Sequence, residues 1–580
     1  MKTGKEKLAA TLFLSLALLL LPAPLRAVEF MSVDELEPGM KGYGLSVFKG
    51  TKIEKFDVEI LGVQKKVLAG QDMIMIRMAG MGLEHSGTVA GMSGSPIYID
   101  GRLLGAVAYA ATFQKDPIAG VTPITDMIKL LESPEQQEGA ALPAAPGGEI
   151  MVGHPDLGPF ELLPVPTPIT LGGFTARGGE KVKGFLSSRG MIPMAAGGAA
   201  EETEHPEADD LQPGSAISVP MMTGDMRMTA VGTVTYREGD RILAFGHPFL
   251  NSGPSEMPMG GAVVYAVMPS YARSYKIAAP ARIVGGLLSD RLPAIMGQYG
   301  IFHGLIPMTI EINNPDTGET EILKVEVIKN DLYTPMLLSW AAEDAMYRAI
   351  GELAGHGTLS IALDGSFEEH AKPFHFEDKQ FHVFSPLSVG VLDHFIRIQD
   401  NKFKKIHVKN LKVSIEAERR VRLAEIQKIT LSGKRFNPGD KVEINVHLRS
   451  YDGGEFVKTV SVKIPSDTAP GPLMVLVEGG EGLGTQSQVL PVNFEQFFER
   501  MMEWIPGNRI SVRLVFRDKT AGVEGEELPT LPGSVEAVLQ DGFSGEMQTI
   551  PHTIQELFPT EDIIRGKAQA QIIVKKEFGQ

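Results

Sequence analysis

Three short stretches hold residue types that could do chemistry. The first is GMSGSP, Gly91 to Pro96, which sets Ser93 between two glycines. A serine hydroxyl attacks a carbonyl carbon only when a base removes its proton and donors wait for the developing oxyanion. A glycine two residues before the serine can turn its N–H toward the carbonyl oxygen in a conformation that other residues resist, so the N–H groups of Gly91 and Ser93 are the candidate oxyanion hole. The competing serine motif, the nucleophile elbow of α/β-hydrolases, needs glycine where Ser95 stands and a helix after the serine. Here a hairpin follows instead. In a chain with 64 glycines the plain alternative is that Ser93 is one residue of a tight turn, and Ser95 is a local rival for the nucleophile.

The second stretch is GDRILAFGHPFL. His247 follows Gly246 at the end of an apolar strand and precedes Pro248, a place where an imidazole can be held at a barrel edge facing a cleft. A structural role for such a histidine is the competing reading. His85, eight residues before Ser93, is too local to choose by sequence, while His303 and His356 are backups. None of the 13 histidines forms an HExxH or another compact metal-ligand spacing, so no metal or other cofactor is expected.

Elements that could position these groups are legible nearby. Alternating apolar residues flank a Lys49-Gly50-Thr51 turn, and Asp100-Gly101 between Ile97-Tyr98-Ile99 and Leu103-Leu104 is a two-residue hairpin signal just after Ser93. Thr122 to Leu131 has helical spacing. AVGTVTYREGDRILAFGHPFL reads as a hairpin around Glu238-Gly239, with a third strand at Ala262 to Val267. Strand pairs at 306–312 and 322–328 and a helix over 337–353 come next. From Leu411 the segments LKVSIEAE, LAEIQKITL, KVEINVHLRS, KTVSVKIP and LMVLVEGG alternate between turns, which predicts an immunoglobulin-like sandwich. The tail carries a short amphipathic helix at 494–502 and edge strands at 510–516 and 568–574.

The totals frame these elements. A chain of 580 residues is too long for one core and suggests roughly three to four domains, mainly β. The expected divisions are a signal peptide at 1–27, a serine-bearing barrel unit at 28–135, a partly low-complexity connector at 136–214, a histidine-bearing barrel unit at 215–300, an α+β extension at 301–410, and a sandwich region with tail at 411–580. Ser133 to Gly148 is linker-like, Ala195 to Gly214 is acidic and of low complexity, and 160–194 between them is ambiguous. No repeat of fixed period is visible.

A net charge of -16, without a dense Lys/Arg patch, argues against nucleic acid as a partner. Lys2, Lys5 and Lys7, then the run Leu8 to Leu21, then Pro22, Pro24 and Ala27, follow the order of a secretory signal peptide, with the mature chain starting near Val28. The run is short for a membrane span, so membrane contact is expected only if this segment stays uncleaved. The absence of cysteine removes disulfides, thiol nucleophiles and thiolate-bound metals, which suits a bacterial periplasm or envelope.

GMSGSPIYIDGRLLGAVAYA, preceded by KIEKFDVEILGV, resembles the serine-containing end of the SpoIVB-type sporulation serine peptidases, in which GMSGSP carries the nucleophile. AVGTVTYREGDRILAFGHPF resembles that family's other hallmark, a strand pair leading to a histidine that acts as general base. The resemblance implies a chymotrypsin-like double β-barrel, with Ser93 as nucleophile and His247 as base. Two departures stand out. The order is permuted, since in the family the histidine segment comes first; a site defined by geometry tolerates this if the two units still pack together. The family's aspartate before the nucleophile has no counterpart in IRMAGMGLEHSG. Asp290 is the substitute, because in a chymotrypsin-like layout the orienting acid shares the histidine's barrel; a turn residue paired with Arg291 is the bland alternative, and Asp72, Glu84 and Asp240 stay open. The expected function is an exported serine endopeptidase acting on protein or peptide substrates in the cell envelope. The alternatives are an inactive peptidase-fold scaffold, or a binding role carried by residues 411–580.

Overall fold

The computed structural model describes residues 28–575 except 69, 114–115, 133–149, 155–157, 196–204, 352–355, 384–389, 484–488, 529–534 and 536–547. The expected signal peptide, the linker 133–148 and residues 196–204 of the acidic connector lie outside the described residues.

The first unit contains β1 (Lys41–Val47), β2 (Ile53–Leu68), β3 (Gln71–Ala79), β4 (Val89–Ala90), β5 (Pro96–Ile99), β6 (Arg102–Ala110) and β7 (Ile118–Pro123). Six of them close into an antiparallel barrel in the order β1-β2-β3-β7-β6-β5, with β5 returning to β1. The β5–β6 turn is the two-residue hairpin read from Asp100-Gly101, and both residues take positive φ, 51° and 77°, as that turn type demands. Phe56, Ile60, Ile76, Ile97 and Val107 fill the interior. The helical spacing at 122–131 is realised as two single turns, Ile124–Met127 and Lys129–Glu132.

The region read as a connector is more structured than its composition suggests. It holds β8 (Ile150–His154), β9 (Gly158–Pro164), β10 (Thr167–Gly172), a helix over Ala176–Ser188 and β11 (Met191–Ala195). β9 pairs with β6 of the first barrel, whereas β10 pairs with the second. Small residues and alternate prolines hid these strands from a reading based on periodicity.

The second barrel is built from β12 (Ala216–Gly224), β13 (Arg227–Glu238), β14 (Arg241–Ala244), β15 (Gly253–Pro254), β16 (Pro258–Met268), β17 (Ser274–Arg291) and β18 (Ala294–Tyr299). β12, β13, β14, β18, β17 and β16 close a second six-stranded antiparallel ring, sealed by β12 on β13, while β15 attaches to β17. The mainly β, double-barrel expectation agrees with this architecture.

Beyond it the sheet continues from β12 into the pair Ile306–Asn314 and Glu319–Val327, then to Val408–Glu418, His356–Phe367 and Phe374–Val383. The helix Tyr333–Gly351 buries Leu337, Leu338, Ala341, Ala342 and Ala345 against it. LKVSIEAE therefore belongs to this middle layer, where it pairs in parallel with Met308–Asn313, and not to the terminal sandwich. The sandwich starts at Leu423. Its two sheets, one around Lys441–Ser450 and one around Gly471–Gly479, share a core that includes Ile426, Val442, Ile444, Val475, Val477, Val512 and Ile572. Among the described residues no helix is long and apolar enough to cross a membrane.

Candidate active site

Ser93 lies on the loop Gly91–Ser95 between β4 and β5, pressed into the seam between the two barrels. Gly91 and Gly94 both take positive φ, 92° and 95°, the left-handed conformation that other residues adopt only with strain. At Gly94 a side chain is also excluded by space, since an added Cβ would lie 1.9 Å from the Thr233 carbonyl oxygen and 2.5 Å from the Phe245 nitrogen. The loop is held from both sides. Gly94 N–H donates to the Val107 carbonyl on β6 (2.8 Å), and Val107 N–H donates to the Ser95 carbonyl (3.0 Å). From the second barrel, Thr233 N–H donates to the Ser93 carbonyl (2.8 Å), while the Thr233 and Thr235 hydroxyls donate to the carbonyls of Gly91 and Gly94, each at 2.8 Å. Alternate residues of β13 face the same way, so the TVT spacing reads two carbonyls of one loop.

His247 arrives on the segment after β14. Gly246 N–H bonds back to the Ala244 carbonyl (2.9 Å) across Phe245, which has φ 70°. This three-residue turn with a positive central φ is rare and strained for a residue carrying a side chain. The strain is supported from the first barrel. Gly246 sits against Ala106, Val107 and Ala108 of β6, and its carbonyl accepts the Thr122 hydroxyl at 2.6 Å. The nucleophile loop and the histidine loop thus both rest on Val107 of β6.

Both reactive side chains are buried. The Ser93 hydroxyl is fully buried and has no hydrogen-bond partner, and neither has Nε2 of His247. The two atoms therefore do not bond each other in this state. Nδ1 of His247 lies 2.8 Å from the Pro248 carbonyl oxygen, which fixes the tautomer with the proton on Nδ1 and the lone pair on Nε2. Burial pushes the imidazole down to about 4, only partly opposed by the carbonyls of Pro248 and Val165, so the ring is neutral.

Asp290 occupies a different place from the one a third triad member would take. It is fully buried on β17, and its carboxylate accepts the backbone N–H groups of Phe249 (2.8 Å), Leu250 (2.6 Å) and Ser252 (3.4 Å). It clamps the segment that follows His247 and makes no hydrogen bond to the ring, whose Nδ1 uses a backbone carbonyl instead. Burial raises its pKa, and the amide donors oppose the rise. Among the other candidates, Asp72 pairs with Lys65 and Glu84 accepts the Gly80 N–H, both in the first unit. His303 packs on Gly286 with Nε2 on the Leu287 carbonyl, and His356 packs at a tilt against Phe381 and Tyr451. Ser95 donates to the Ser46 hydroxyl (3.1 Å).

The sequence reading missed Lys276. This fully buried lysine on β17 donates to the hydroxyls of Ser46 (2.9 Å) on the first barrel and Thr233 (3.3 Å) on the second. Burial pushes its amine down to about 7. Its carbon stem passes Gly91, within 3.2 Å of where a Cβ would sit. The only sequence clue was a single lysine in a largely apolar stretch, SYKIAAPARIVGGLL. One group among the described residues has the donor set for a metal, namely Glu368, Glu369 and His407. Glu368 is paired with Lys329 and Glu369 with His407. The group lines one pocket with Leu250–Ser252, the segment that follows His247.

Two closed six-stranded barrels thus meet at a seam that holds a glycine-turned serine and a histidine. Residues 28–128 match the family model for the SpoIVB peptidase S55. The match covers the barrel that bears Ser93 and stops before the histidine segment. No curated protein matches the chain.

Proposed function

We propose that the protein is an exported serine endopeptidase in which Ser93 is the nucleophile and His247 the general base. The observation that supports this reading is the meeting of the two loops at Val107 of β6, each presenting a buried reactive atom with no partner. A buried polar atom left unpaired has a cost of about 1–3 kcal/mol, and at functional sites such atoms await a substrate.

In the reaction, Ser93 Oγ bonds to the substrate carbonyl carbon as its proton passes to Nε2 of His247. The carbonyl oxygen becomes an oxyanion facing the N–H groups of Gly91 and Ser93, and the positive φ of Gly91 supports that role. Collapse breaks the peptide bond, and the leaving amine takes the proton from His247. Water then hydrolyses the acyl-enzyme by the same relay. Pro248 takes the place of a triad carboxylate at Nδ1, and Asp290 positions the segment behind it. Export rests on Lys2, Lys5 and Lys7 ahead of the apolar run 8–21, and envelope proteins are the substrates that this location implies.

A fluorophosphonate probe should label the full chain, and Ser93→Ala should abolish labelling with the fold intact by circular dichroism. Labelling that survives in Ser93→Ala sinks the assignment. A second reading, a binding scaffold on a peptidase fold, is favoured by one observation: His247 has a backbone carbonyl where a catalytic imidazole usually has a carboxylate. Absence of labelling in the wild-type chain and in variants that open the Ser93 cleft selects it.

A further inference from the structure

The chain from the end of β9 into β10 reads Leu163-Pro164-Val165-Pro166-Thr167-Pro168, and its first part lies along the end of β6 beside the nucleophile loop. Leu163 pairs with Ala110 and Pro164 with Tyr109, antiparallel, and Val165 N–H donates to the Ala108 carbonyl at 2.8 Å. One residue earlier on β6, Val107 holds Gly94 of the nucleophile loop. The Val165 carbonyl lies beside the His247 ring, and Pro168 packs within 3.3 Å of the Cβ position of Gly91. The Val165 side chain is buried in the apolar cluster that includes Val89, Met92 and Val107. What remains open beside the segment is a pocket of about 40 Å³ between Leu163–Pro166 and Ser270–Ser274.

We propose that Leu163–Pro166 occupies the substrate strand of the Ser93 cleft, so that the cleft takes an extended peptide with a small branched aliphatic residue at the position of Val165. This rests on the peptidase reading of Ser93 and His247 and adds its substrate class and its resident occupant. Peptidases commonly recognise a substrate as an added antiparallel strand, in which backbone hydrogen bonds give affinity and a side-chain pocket gives selectivity. The segment supplies both, with the Val165 amide on Ala108 and the Val165 side chain in a dry aliphatic pocket. Its prolines suit a resident occupant. At 164, 166 and 168 they hold the chain extended and remove every second N–H, so one edge alone can pair. Pro166 follows Val165, so the bond that would be cut is a tertiary amide whose nitrogen is locked in a ring. Ser93 and His247 are buried because this strap covers them.

The test uses the full-length chain and two variants, Val165→Asp, which places a charge in the aliphatic pocket, and Val165→Thr, nearly isosteric, which settles the matter if the aspartate variant fails to fold. Each is also made in a Ser93→Ala background. There, binding of a fluorescent Leu-Leu-Pro-Val-Pro-Thr-Pro peptide is followed by anisotropy, a readout that needs no chemistry. The expected result is that the peptide binds the strap variants, that a scrambled peptide does not, and that the chain with its strap intact binds at least about tenfold more weakly, because the competent state is a minor fraction. With Ser93 present, the strap variants should label with fluorophosphonate about tenfold faster than the wild-type chain. Failure of the peptide to bind either variant overturns the proposal whatever the labelling shows. Peptide binding without labelling in any form upholds the strap and removes the peptidase reading.

Discussion

The two barrels bring their reactive residues to the seam by different means. The first uses local chemistry: glycines at 91 and 94 take the left-handed backbone that a tight loop needs, and the hairpin at Asp100-Gly101 fixes the strand that follows. The second uses tertiary force. Phe245, with a full side chain, is held at φ 70°, and a buried carboxylate 43 positions after His247 clamps the following amides. A loop built on glycine is written in its own residues, whereas a loop held in strain depends on whatever packs against it. The first therefore tolerates loss of its neighbours better than the second.

Substitution at the contact between the two loops is the strongest way to break that comparison. Gly94→Ala places a methyl group on the Thr233 carbonyl and the Phe245 nitrogen and strains the backbone as well. We expect a loss of about 4 kcal/mol in urea unfolding and no fluorophosphonate labelling. Retention of wild-type stability would show that the barrels are not in contact there.

Asp290→Ala tests the clamp. It leaves the amides of Phe249 and Leu250 buried without an acceptor, and we expect a loss of about 3 kcal/mol. Labelling should slow about tenfold and not vanish, since the carboxylate acts through the backbone and not on the ring. If labelling falls as far as in His247→Ala, Asp290 is coupled to the imidazole more directly than this geometry shows.

The pH dependence sharpens the contrast further. The folded pKa of His247, about 4, lies below the ordinary value of 6.5, so between those values the unfolded chain binds the proton more readily. Stability should fall as pH drops from about 6.5 to about 4, by up to roughly 3 kcal/mol at a cost of about 1.4 kcal/mol per unit. His247→Asn should remove that component of the slope in denaturant titrations at pH 4 and 7. An unchanged slope would place the ring in water. Lys276 gives the companion test at alkaline pH. Its amine, pushed down from 10.5 to about 7, makes the unfolded chain the better proton binder between those values, so stability should rise with pH over that range. Lys276→Met should flatten the rise, read by thermal unfolding at pH 7 and 10.

Much of the first barrel was legible in the sequence. Its strands alternate, its turns carry Asp-Gly and Lys-Gly-Thr, and GMSGSP carries its geometry in its own glycines. The helix at 333–351 was legible from its apolar stripe. Less visible was the ordered chain from 150 to 195. LLPVPTP shows neither period, because its function is to lie extended along another strand and proline supplies the extension in place of alternation. The role of Asp290 was also out of reach, because an acid that caps amides 40 residues away looks like any other aspartate in a turn. Thr233, Thr235 and Lys276 have the same character. Each bonds to groups far along the chain, and nothing local marks a threonine or lysine for that purpose.

The sequence by itself determined that a glycine-turned serine precedes a hairpin, that a second β unit ends in a histidine, and that the whole is mainly β, because backbone conformation and alternation are properties of neighbours in the chain. The tertiary structure decided which carbonyl orients His247, what Asp290 holds, and that Val165 lies on Ala108 beside the imidazole. Those outcomes depend on residues tens to hundreds of positions apart sharing one dry seam, where burial makes every unpaired donor or acceptor costly and so selects the partners that remain.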